Sequence, residues 1–119
     1  MPDLSAHGDF SISWQGNILF VHASGNYNLE GAERVNLAIK ESVTQKGITQ
    51  WVRIDVLEEN VLGGPDVLEE VKSGVHWGKA HGCTEVIFIA DGIKAALFKK
   101  MLSELVTFST VEEALDSLR

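Results

Sequence analysis

Cysteine is almost missing from this chain: Cys83 is the only one in 119 residues, so no internal disulfide can form and the core must hold without staples. Basic charge is also scarce. Ten lysines and arginines stand against 17 acids, for a net charge of −7, whereas binding a phosphate backbone takes clustered cations. Nucleic acid is not an expected partner. No apolar run approaches the roughly 18 residues of a membrane-crossing helix, the longest being strand-sized pieces such as VIFIA. The opening MPDLSAHGDF carries no cationic stretch followed by an apolar one, so no secretory leader is expected and a reducing cytoplasm is the expected compartment. The spacing G-x-S-x-G does not occur, which removes the best hydrolase signal.

What is present suits one α/β domain. At 45% hydrophobic composition, the chain has the apolar content for a single core, and no repeat, linker or composition shift divides it. One domain over residues 1–119 is expected, with a loose start over residues 1–8. FSISW alternates Phe10, Ile12 and Trp14 with serines, the signature of a strand with one buried face. The turn Gln15-Gly16-Asn17 leads into NILFVHAS, so the two strands read as an antiparallel hairpin. From Asn28, Leu29, Ala32, Val35, Ile39 and Val43 line one helix face, and Lys46-Gly47 stops it. WVRIDV is a strand. Val67, Leu68, Val71, Val75 and Gly78 stripe the next helix, with Pro65 at its entrance. TEVIFIAD reads as an inner parallel strand covered on both faces, Ile93, Leu97 and Met101 stripe a third helix, and ELVTF makes a short strand. Thr110-Val111-Glu112-Glu113 opens a terminal helix through Ala114, Leu115 and Leu118. The order is ββαβαβαβα, an α/β fold with a mixed, mostly parallel sheet, flanking helices and right-handed crossovers. Strand order is not legible.

This element order, together with ILFVHASGNYNLEGAERV, VRIDV before a loop, and the closing FSTVEEALDSL, resembles the STAS domains, and within them the SpoIIAA-like proteins, relatives of bacterial anti-sigma-factor antagonists. In antagonists of the phospho-switch type, the loop after the central strand carries Asp-Ser-Ser-Gly, whose serine is phosphorylated. Counted from Asp55, that motif falls on Gly63, Gly64, Pro65 and Asp66, and no serine or threonine occurs from Gln50 to Lys72. The resemblance implies a non-enzymatic regulatory module of the bacterial cytoplasm that meets a protein partner through Glu58, Glu59, Asn60, Gly63, Gly64, Pro65 and Asp66. SpoIIAA-like proteins are also similar in fold to the lipid-binding CRAL-TRIO domains. The alternative is therefore a carrier of a small apolar molecule or lipid, held between helices and sheet, with Trp77 as the candidate ligand contact. A homodimer is compatible with either reading.

The residues themselves limit the chemistry. A phosphate cradle at Gly63-Gly64 is opposed by Glu58, Glu59, Asp66, Glu69 and Glu70. Paired carboxylates among Glu58, Glu59 and Asp66 leave an acid/base enzyme as a weaker alternative. His76 and His81 stand five apart on one helix, about 500° of turn, and point away from each other, so no metal site is expected there, and no cofactor. Cys83 reads as a small buried hydrophobe. Lys94, Lys99 and Lys100 read as a solvated helix face.

Overall fold

The alternation of Phe10, Ile12 and Trp14 with small polar residues produces strand β1 (Asp9–Gln15) in the computed structural model, which describes residues 5–103 and 105–119. A two-residue loop returns the chain as β2 (Ile18–Ser24), antiparallel to β1 with Gln15 opposite Ile18. Helix α1 (Leu29–Lys46) starts at Asn28, whose Oδ1 accepts from the Gly31 N–H at 2.9 Å. It ends at Gly47, which takes a left-handed φ of 65° and returns its N–H to the Val43 and Thr44 carbonyls. A side chain with a Cβ is strained in that conformation, which is why the helix stops at a glycine. Then follow β3 (Trp51–Leu57), α2 (Pro65–Ala80), β4 (Cys83–Ile89), α3 (Gly92–Met101), β5 (Val106–Phe108) and α4 (Val111–Ser117). Thr110 caps α4 by accepting from the Glu113 N–H at 3.2 Å.

The sheet runs β1-β2-β3-β4-β5, with every pair after the hairpin parallel. Successive crossovers move the chain the same way across the sheet, and crossovers of one hand, as the general rule has them, set their helices on one face, where α1, α2 and α3 lie. There Val35, Ile39, Val75 and Phe98 pack on Leu19, Val21, Trp51, Val86 and Phe88. On the opposite face α4 packs, alone among the described helices, through Ala114 on Ile54, Ile87 and Ile89. Trp14 and Trp51 meet edge to face at 6.1 Å, and their ring nitrogens donate to Ser42 Oγ and the His81 carbonyl.

Three details differ from the sequence reading. The third helix turns Phe98 inward, not Ile93 and Leu97: Ile93 is 88% exposed and Leu97 45%. Both stripes have helical spacing, and the one carrying an aromatic ring wins, because Phe98 meets the Phe88 ring edge-on at 5.1 Å and buries more apolar area. The last strand begins at Val106, after Glu104, which lies outside the described residues. The loose start expected over residues 1–8 lies partly outside them too. Of the part that is described, the Ser5 carbonyl accepts from Asn28 Nδ2 and the His7 N–H donates to Asn28 Oδ1, both at 2.8 Å.

Candidate functional site

Strand β3 alternates a charged and an apolar residue in VRIDV, and the pleat sends Arg53 and Asp55 to the same face. That face is the helical side, so two charges enter the apolar layer together. Arg53 is 3% exposed and Asp55 5%. They form a two-point pair, Nε to Oδ1 at 2.6 Å and Nη2 to Oδ2 at 2.9 Å. Burial works against the Arg53 charge, but the attraction and hydrogen bonding of Asp55 prevail and raise its pKa above the ordinary arginine value. Each ion makes the burial of the other tolerable.

The pair sits in the wall of a cavity of about 140 Å³. Val21 and Ala23 of β2 and Phe88 of β4 share the sheet side, while Ala32 and Val35 of α1 and Val67, Leu68 and Val71 of α2 supply the helix side. The partial exposure of Leu68 and Val71, both read as buried stripe positions, comes from this opening. Leu62, 60% exposed, and Leu97 stand at its rim with Lys94. Tyr27 also lines it, with its hydroxyl donating to the Asp9 carbonyl. Burial first, then the Asp9 charge, pushes the Tyr27 pKa up to about 12.

The corner between β3 and α2 forms the outer wall through Val61, Leu62 and Gly63. It is strapped to the loop before α1. Leu62 donates to the Gly25 carbonyl and accepts from the Tyr27 N–H, at 3.2 and 2.8 Å, while Asn60 Oδ1 accepts from the Gly25 N–H at 3.0 Å. Gly63 is required by close approach, since a Cβ there would lie 2.6 Å from Val67 Cγ1. Gly64 caps α2 with no side-chain bond, Pro65 takes the first turn, and Asp66 Oδ1 accepts from the Val67 N–H at 2.8 Å.

The corner residues singled out in the sequence are all exposed: Glu58, Glu59, Asn60, Gly63, Gly64, Pro65 and Asp66. The structure brings Glu58 and Glu59 to one cleft and leaves Asp66 out of it. Glu58 Oε1 lies 2.5 Å from His22 Nε2 on β2. The cleft is shallow and is also lined by Asp91, Lys94 and Ser109. Lys94, read as part of a solvated face, instead donates to the backbone carbonyls of Glu58 and Glu59 and joins the cleft to the cavity.

Trp77 lies away from both openings. It stacks on His81 at 4.2 Å, beneath Lys40, and packs against the main core. Cys83 is buried, and desolvation raises its thiol pKa. No group of three or more metal-ligating side chains occurs among the described residues. No helix among them is long and apolar enough to cross a membrane. What sequence reasoning missed is the Arg53–Asp55 pair. Its signal was available: two opposite charges two residues apart in an otherwise apolar inner strand.

No family model matches the chain, and no curated protein sequence matches it. Solved structures do. An uncharacterised DUF3478-family protein with a SpoIIAA-like fold from Shewanella loihica aligns at a TM-score of 0.68 and 16% identity, over 100% of this chain and 99% of that one. The anti-sigma factor antagonist SpoIIAA in its unphosphorylated form aligns at 0.68 and 16%, over 93% of this chain and 98% of its own. An anti-sigma factor antagonist from Mycobacterium paratuberculosis aligns at 0.68 and 17%, over 95% of each chain. The chain has the SpoIIAA-like fold.

Proposed function

We propose that this chain, built on the SpoIIAA-like fold, is a non-enzymatic regulatory module of the bacterial cytoplasm that recognises a protein partner with the corner from Glu58 to Asp66 and the first turn of α2. One observation carries the reading. The corner is exposed and acidic, yet strapped to the neighbouring loop, at the carboxyl end of a central strand where function concentrates in open α/β sheets. Two of the similar structures are described as anti-sigma factor antagonists, which is the kind of role such a surface suits. With no serine or threonine from Gln50 to Lys72, recognition at this corner works without a phosphorylation switch. Its acids favour a basic partner and act chiefly on encounter rate and specificity.

The test replaces Glu58, Glu59 and Asp66 together with their amides. Pulldowns from the native lysate should lose specific partners while circular dichroism stays unchanged. Equal recovery of the same proteins, with unchanged salt dependence, overturns the assignment. The cavity favours a second reading, a binder of a small apolar molecule. That site would be at Arg53, Asp55 and the walls around them, not at Trp77.

A further inference from the structure

We propose that the cavity beneath the corner binds a compact monocarboxylic acid, its apolar body among the helix and sheet side chains and its carboxylate on the Arg53 guanidinium. The assignment rests on the second reading above and narrows it to a ligand class.

Size sets the first limit. The cavity volume of about 140 Å³ is close to that of an engineered apolar cavity of about 150 Å³ that takes up benzene. A six-carbon ring or a short branched chain fits within it, whereas most of a long acyl chain would lie outside, past the rim at Leu62 and Leu97. Polarity sets the second. An apolar site with a few fixed polar groups orients a ligand by those groups, and here the buried ones are Arg53, Asp55 and Asn36, whose Nδ2 is already held by Glu70. Asp55 holds Nε and Nη2. The guanidinium carries five N–H donors, and the edge formed by its two terminal nitrogens is a second fork that matches a carboxylate.

Charge sets the third. Among the described residues the ionised side chains of the wall are Arg53, Asp55 and Lys94, one net positive charge in a chain of net −7. Tyr27 stays neutral at ordinary pH, with its pKa up to about 12. A single carboxylate balances the site, whereas an amine would meet uncompensated positive charge.

Full-length protein, labelled with nitrogen-15, is titrated with toluene, benzyl alcohol, benzoate and decanoate and followed by amide NMR shifts. Toluene should shift amides of the cavity wall. Benzoate should bind about tenfold more tightly than benzyl alcohol, the scale of a hydrogen-bonded charge. In the double variant Arg53→Met/Asp55→Leu, which removes both ions together and so leaves no unpaired charge, that preference should vanish while toluene still binds. Benzoate no tighter than benzyl alcohol in the wild type overturns the carboxylate assignment, as does a preference that survives in the double variant. Tighter binding of decanoate overturns the size limit. Failure of toluene to bind overturns the second reading itself, and the carboxylate assignment with it.

Discussion

Removing one member of the buried pair should damage the protein far more than removing both. Arg53→Met leaves Asp55 without its cation at a site where the carboxylate is 5% exposed, too little for water to take over. Breaking such a pair costs about 3 to 5 kcal/mol, while replacing both ions with apolar groups of similar volume is often neutral or stabilising. The opening beside the pair lets the site relax in part and places the expectation at the lower half, about 3 to 4 kcal/mol for Arg53→Met. Arg53→Met/Asp55→Leu should stay within about 1 kcal/mol of the wild type, because Met and Leu suit the apolar wall. At ~2.1 cal/mol/K of unfolding entropy per residue, a loss of 4 kcal/mol in a 119-residue chain lowers Tm by about 16 °C. Urea unfolding read by tryptophan fluorescence measures all three proteins. If Arg53→Met costs less than about 1 kcal/mol, or the double variant is as unstable as the single one, the pair is not desolvated as described.

Ile87→Ala, at a position with no exposed surface, should cost about 2 to 5 kcal/mol, and an unchanged unfolding midpoint would contradict its place in the core of β4. Gly63→Ala must push a Cβ against Val67 and should cost about 1 to 3 kcal/mol, measured by the same urea titration. Tyr27 is the only tyrosine, so absorbance at the phenolate band reports it alone, and its titration should centre near pH 12 and not at 10. A group whose pKa is raised by folding contributes stability below its unfolded pKa and loses it as pH rises. Stability linked to Tyr27 should therefore hold below pH 10 and fall between about 10 and 12, an effect absent in Tyr27→Phe.

The architecture was legible because each element carries its own local signal. Phe10, Ile12 and Trp14 alternate, Asn28 and Thr110 cap, and Gly47 stops a helix, all within a few residues of sequence. In helix α3 Met101 was read inward and packs on the core, but Ile93 and Leu97 were misread and Phe98 was missed, because two stripes share one spacing and only the position of Phe88 on a distant strand decides between them. The corner's exposure followed from its acids and glycines. Its strapping did not, since Gly25 and Asn60 are 35 residues apart. The cavity is a gap between elements, and no local pattern encodes a gap. Arg53 and Asp55 mark it only in retrospect, through the cost of placing charges in that strand.

The order β1-β2-β3-β4-β5 means that every strand lies beside its predecessor in the chain. A growing polypeptide can then add strands one at a time to an existing edge, and no later segment has to wedge between two strands already paired. Each crossover also brings its helix down onto the strands just laid. In that sequence α4 comes last, and it is the helix that covers Ile54, Ile87 and Ile89. Until it docks, one side of the sheet remains an uncovered apolar surface. This seven-residue helix is therefore the closing piece of assembly, and a nascent chain halted before Val111 would be the form most in need of a chaperone.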